Sequence, residues 1–141
     1  MASPAIKICG ITTAPALDAA IKARADYAGF VFFAPSPRNL LLSDAAALGA
    51  RAAGRISRVG LFVDAQDSDI AEAIAAANLD ALQLHGQESP ERAAQLRAQF
   101  GLPVWKALSV AAKADVARAT AYAGAADLVL IPVRPSPDDL R

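Results

Sequence analysis

Six short runs of β-branched or large apolar residues recur along the chain, with alanine-rich windows between them. They are Ile6-Lys7-Ile8-Cys9, Gly29-Phe30-Val31-Phe32-Phe33, Val59-Gly60-Leu61-Phe62-Val63, Leu82-Gln83-Leu84, Val104-Trp105-Lys106-Ala107-Leu108 and Leu128-Val129-Leu130-Ile131. Measured from their first residues, the runs are spaced by 23, 30, 23, 22 and 24 positions. Each interval holds one strand, one helix and two short loops. The alternation predicts βαβ units and a parallel sheet of six strands with five helices.

The windows between the runs read as helices. Leu17, Ala20 and Ile21 form an apolar stripe after a Thr13 cap, and Ser43 or Asp44 is expected to cap Ala45 to Ala53, with Gly54 as the stop. Asp67 or Ser68 precedes Ile70 to Ala77. Ser89-Pro90-Glu91 opens the next helix with proline in its first turn, and Gly101 and Pro103 close it. The last helix runs from Ala111 to Ala123, before Gly124. Alanine, the best helix former, occurs 36 times, mostly in these windows. Two architectures accommodate six such units: an open doubly wound sheet, or part of a (β/α)₈ barrel. Periodicity does not separate them.

Composition narrows the class. With 141 residues the chain is one domain, long enough to bury a core. It is 55% hydrophobic and 20% charged, far from a disordered composition. No apolar run approaches the roughly 18 residues of a membrane span, and Met1 to Lys7 carries no signal-peptide pattern. Lys and Arg balance Asp and Glu at 14 each, which gives no electrostatic case for nucleic acid or an anionic membrane. One cysteine excludes an internal disulfide, and one histidine with no neighbouring cysteine argues against a metal site. The expectation is a cytoplasmic α/β domain.

In both architectures the active site lies at the carboxyl ends of the strands. Standing there are Cys9-Gly10, the Pro35-Ser36-Pro37-Arg38 loop, Asp64, then Gln83, His85, Gly86 and Glu88, then Lys106. Each has two readings. A lone strand cysteine is commonly an inert small hydrophobe, whereas a thiol at a strand end acts as a general base when a neighbour favours its thiolate. Loop arginines such as Arg38 are solvated charges or bidentate anchors for carboxylate or phosphate. His85 serves hydrogen bonding, proton transfer or structure. Lys106 reads as structural, and Asp64 as a cap for the following helix.

Taken together, the motifs resemble phosphoribosylanthranilate isomerases. Lys7-Ile8-Cys9-Gly10-Ile11-Thr12 is similar to that family's opening signature. Gly29-Phe30-Val31-Phe32 with Ser36-Pro37-Arg38 resembles its second strand and loop, and Val59-Gly60-Leu61-Phe62-Val63-Asp64 its third strand. Leu82-Gln83-Leu84-His85-Gly86-Gln87-Glu88 and Val104-Trp105-Lys106-Ala107 follow in order. The resemblance implies a (β/α)₈ TIM-barrel fold, here truncated to about six strands and five helices over residues 1–131. It also implies a cofactor-free Amadori rearrangement of N-(5-phosphoribosyl)anthranilate in tryptophan biosynthesis. Cys9 takes the position of the family's base, and Arg38, Gln83 and His85 those of substrate-binding residues. The substrate is a small phosphorylated sugar-anthranilate.

One departure stands out. The family's general acid is an aspartate just after the sixth strand, where this chain reads Pro132-Val133-Arg134, followed by a divergent tail over 132–141. The expectation is a chain inactive or weakly active alone, from a frameshifted or prematurely terminated reading frame. The competing expectations are a non-enzymatic barrel fragment that self-associates through unpaired strand edges, and an unrelated doubly wound ligand-binding domain.

Overall fold

The computed structural model describes residues 4–108 and 113–130. Six strands alternate with five helices: β1 (Lys7–Cys9), α1 (Ala14–Lys22), β2 (Tyr27–Phe32), α2 (Leu42–Ala52), β3 (Ser57–Phe62), α3 (Asp67–Ala77), β4 (Ala81–Leu84), α4 (Pro90–Phe100), β5 (Val104–Ala107), α5 (Lys113–Thr120) and β6 (Leu128–Leu130). All pairings are parallel and the spatial order is β1-β2-β3-β4-β5-β6. A doubly wound sheet must reverse its strand order to place helices on both faces. Here the order never reverses, so right-handed crossovers put every helix on one face.

The sheet also curls. Tyr27 on β2 meets Trp105 on β5 edge-to-face, with ring centroids 4.9 Å apart, although β3 and β4 lie between them. Neighbouring strands are about 4.8 Å apart, so in a flat sheet these rings would stand roughly 14 Å from each other. Curvature brings them together. Val59, Ala81 and Trp105, with Tyr27 and Leu130, form a small apolar cluster inside the curve. The larger core lies on the other face, where Ala28, Phe30, Phe62, Leu82, Leu84 and Val104 pack against Leu17, Leu48, Ile70 and Leu96 of the helices. Alternation along each strand separates the two sets.

Helix starts follow two patterns. Thr13 caps α1 by accepting from Ala16 N at 3.3 Å, and Ser89 caps α4 by accepting from Arg92 N at 3.1 Å, each with proline in the first turn. The other expected caps are corrected. Helix α2 begins at Leu42 behind Leu41, and α3 at Asp67 behind Gln66, with no side-chain cap bond at either. Ser43 and Asp44, and Asp67 and Ser68, lie inside the first turns, where the acidic ones complement the helix dipole. Helix α5 starts at Lys113 and ends at Thr120, inside the expected window. The expected boundary at 131/132 and the tail lie outside the described residues.

An aspartate precedes every even-numbered strand and locks the odd strand before it. Asp26 N donates to Ile6 O at 2.8 Å while its Oδ2 accepts from Ile6 N at 2.7 Å. Asp80 does the same to Arg58, at 2.7 Å in both directions, and Asp127 to Val104, at 2.8 Å in both. Each carboxylate bond is charge-assisted and closes the amino end of a βαβ unit. These locks sit at the opposite end of the sheet from the candidate chemistry, so they hold the scaffold and leave the carboxyl ends to the loops.

Candidate active site

The first group forms where β1 ends. Cys9 is exposed, and Gly10 turns the chain with φ +78°. A Cβ on Gly10 would stand 2.5 Å from Arg38 Cδ and 2.9 Å from its Nη1, so the Arg38 side chain lies directly over this glycine. Ser36 shapes the loop that carries it, its Oγ accepting from Arg38 N at 3.1 Å. On the neighbouring strand Gly29 pairs with Cys9. A Cβ there would stand 3.1 Å from both Cys9 Sγ and Lys7 Cε. The absent side chain at Gly29 leaves room for the thiol and for the Lys7 arm beside it. The Lys7 arm thus shares the space over Gly29 with the thiol, while Arg38 covers the glycine that follows Cys9; Lys7 is a residue that the motifs alone do not mark. Its signal was available: positions 7 and 9 of a strand share a face.

The second group stands on β4. Gln83 and His85 are two residues apart, so both face the inside of the curve. Gln83 Nε2 and His85 Nε2 are hydrogen-bonded at 2.7 Å. Gln83 is buried and its Oε1 has no partner, whereas His85 is exposed and lines a cavity of about 150 Å³ with Gly86, Gln87, Ala107, Leu108 and Arg118. The structure therefore lays Arg38 over Gly10, the residue after Cys9, and joins Gln83 to His85. The pairs share the carboxyl rim of the sheet, with β2 and β3 between them.

Beneath this rim lies a buried polar knot. Lys106 points to the helix side of β5, where its Nζ donates to Gly86 O at 2.7 Å and to Glu88 Oε1 at 2.8 Å. Glu88 also accepts from Gly86 N on Oε1 and from Asp64 N on Oε2, both at 2.8 Å. Tyr122 Oη donates to the Glu88 carbonyl, and burial pushes the Tyr122 phenol up from its ordinary value. The structural reading of Lys106 stands. The helix-cap reading of Asp64 does not: it adopts a left-handed conformation, φ +50°, and its Oδ1 accepts from Gln87 N at 2.8 Å. Asp64 ties the β3–α3 turn to the β4–α4 turn. Among the described residues, no group of three His, Cys, Asp or Glu side chains is placed to hold a metal ion, and no helix is long and apolar enough to cross a membrane.

Sequential parallel strands, helices on one face and polar side chains gathered at the carboxyl ends define part of a (β/α) barrel. The family model for N-(5'-phosphoribosyl)anthranilate (PRA) isomerase matches residues 6–135. The isomerase of that name from Azorhizobium caulinodans is 51% identical over 134 residues, covering 95% of this chain and 59% of the relative. The crystal structure of the Thermotoga maritima enzyme superposes with a TM-score of 0.81 at 31% identity, over 95% of this chain and 64% of that one. A further structure of the isomerase, in complex with reduced 1-(o-carboxyphenylamino)-1-deoxyribulose 5-phosphate, matches 85% of this chain and 61% of that one with a TM-score of 0.74 at 33% identity. This chain belongs to the phosphoribosylanthranilate isomerase family. It spans 59% of the Azorhizobium relative and 64% of the Thermotoga chain.

Proposed function

We propose that this carboxyl rim serves the isomerisation of N-(5-phosphoribosyl)anthranilate to 1-(2-carboxyphenylamino)-1-deoxyribulose 5-phosphate in cytoplasmic tryptophan biosynthesis. The observation that carries it is the Arg38 side chain laid over Gly10, beside Cys9. The reaction is an internal hydrogen shift and consumes no external oxidant or cofactor. An acid protonates the furanose oxygen as the ring opens to a Schiff base. A base then takes the proton from the adjacent carbon, and the resulting enolamine becomes the ketone. Cys9 is the base. Arg38 holds an anionic group of the substrate, and Gln83 and His85 hydrogen-bond to it. The sequence after β6 carries no acid in the family's position, since Pro132-Val133-Arg134 stands there.

A growth test in a tryptophan auxotroph lacking this isomerase separates the two halves of the chemistry. Residues 1–130 joined to the portion of the Azorhizobium relative that follows the matching strand will restore growth. The 141-residue chain alone will not, because a positioned acid is worth about 10²–10⁴-fold in rate. A joined protein that folds and fails to restore growth would overturn the proposal.

The sheet edges favour a second reading, association of the chain with itself. Among the described residues β1 pairs only with β2 and β6 only with β5, and large apolar side chains are exposed on both edges: Ile6 48%, Ile8 42% and Leu128 44%. Unpaired edges of this kind recruit further strands. Sedimentation of the 141-residue chain at micromolar concentration will give a mass above the monomer. A stable monomer across that range would remove this reading.

A further inference from the structure

We infer that Lys7 is a specificity-determining residue, whose ammonium, held beside Cys9 on the inner face of β1, gives that thiol a preference for anionic partners. The inference deepens the function proposed above and rests on it only for the identity of the anion. The placement of the charge rests on the geometry of β1 and β2.

Lys7 pairs with Tyr27 across the strands, and Cys9 pairs with Gly29. The end of the Lys7 side chain nevertheless stands at Gly29, where an added Cβ would lie 3.1 Å from Lys7 Cε. The arm therefore runs along β2 toward the carboxyl rim, over two residues that rise about 6.6 Å. The same point lies 3.1 Å from Cys9 Sγ, so the sulfur and Cε are within twice that distance of each other. The ammonium is one bond further on, which keeps its charge inside the screening length of about 8 Å at physiological salt. Glycine at position 29 permits this, since a side chain there would fill the space that both groups share.

An interior lysine commonly closes an ion pair, as Lys106 does with Glu88. Among the described residues Lys7 has no such carboxylate. The six strands contain no Asp or Glu, and the ion pairs among those residues are made by other side chains. The acid nearest along the sheet, Asp26, accepts from Ile6 N at the amino end, while the Lys7 arm runs the other way. Lys7 is half-buried and Cys9 is exposed, so one ligand can meet both. A cation on an acid-free surface raises the local concentration of anions. The proposed substrate carries a carboxylate and a phosphate, and either supplies the charge that Lys7 receives. Lys7 draws the anion in, and Cys9 does the chemistry.

Cys9 is the chain's only cysteine, so alkylation reports on one sulfur. Iodoacetate and iodoacetamide attack the same thiolate and differ by one negative charge. The ratio of their rates therefore cancels the thiolate fraction and reads the charge beside the sulfur. In the 141-residue chain at about 0.01 M salt, where the screening length is about 30 Å, Lys7→Met will lower the iodoacetate-to-iodoacetamide ratio by about threefold. That is the worth of about one unit charge acting through water at this separation. Lys7→Arg will keep the parent ratio, and Lys7→Gln repeats the test should the methionine variant not fold. At about 1 M salt, where screening shortens to about 3 Å, parent and neutral variants will agree. A low-salt ratio unchanged in the neutral variants would overturn the inference, and so would an equal fall in Lys7→Arg. Anthranilate and ribose 5-phosphate, added separately at millimolar concentration, identify the anion: the one that Lys7 receives will slow alkylation of the parent more than of Lys7→Met. Equal protection of the two would overturn the role toward substrate. None of these measurements requires turnover, so failure here and failure of the proposed isomerase function are distinguishable.

Discussion

Cys9→Ala in the joined protein, residues 1–130 continued by the Azorhizobium portion, will lower kcat/KM by about 10²–10⁴-fold, the usual worth of a positioned general base. The substitution removes one exposed sulfur at the end of β1, so the fold will be retained, and circular dichroism and urea unfolding will match the parent. A fall of less than about tenfold would show that another group takes the proton. Cys9→Asp makes the test sharper. A carboxylate at this position is a base whose ordinary pKa lies several units below that of a thiol. Activity needs the deprotonated base and is present above its pKa. The rising limb of the pH–rate profile will therefore move to lower pH in Cys9→Asp, with partial activity restored. A limb that does not move would place the titrating group elsewhere. Substitution of Arg38 acts differently. It leaves the base in place and removes the cation that lies over Gly10, and the loss falls on both binding and rate.

Much of this arrangement was legible in the residues. The apolar runs located all six strands; β2 to β5 read as near-continuous runs because a parallel strand buried on both faces does so, and the edge strands β1 and β6 keep the same apolar character although they are partly exposed. Thr13 and Ser89 announced two helix starts, since their side chains satisfy a free N–H of the first turn. The starts of α2 and α3 were hidden, because a polar residue inside a first turn looks the same in sequence as one that caps it. Also legible, though unread, was the aspartate before each even strand, at positions 26, 80 and 127. What the residues did not hold was tertiary. That Arg38 covers Gly10 depends on two loops 28 positions apart meeting across a strand pair. That the sheet curls depends on Tyr27 reaching Trp105 over two intervening strands. Gln83 and His85 fall between these cases: their shared face follows from spacing, and their mutual hydrogen bond had to be seen.

Lys106→Met will destabilise the domain by about 3–5 kcal/mol, the usual penalty for removing one partner of a buried ion pair. The Lys106 and Glu88 side chains are 1% and 4% exposed, so water cannot replace the lost ammonium. Against a total of about 5–15 kcal/mol for a typical domain, that loss removes roughly a fifth or more of the stability. The urea midpoint will fall accordingly. A drop under about 1 kcal/mol would show that Glu88 finds another partner. Glu88→Gln is not the mild change its shape suggests. The carboxylate accepts with both oxygens, from Gly86 N on one side and Asp64 N on the other. An amide accepts on one side only, so one of those backbone donors will face an NH₂ group. The loss reaches the site as well. Lys106 Nζ and Glu88 hold the Gly86 peptide from its carbonyl and its N–H at once, and Gly86 follows His85 directly. A partner-deleted variant that still folds will therefore show His85 signals broadened by motion, whereas those of residues near the amino ends of the strands, where Asp26 and Asp80 hold β1 and β3, will stay sharp. The polar knot on the helix side of the sheet is what keeps the rim on its inner side in register.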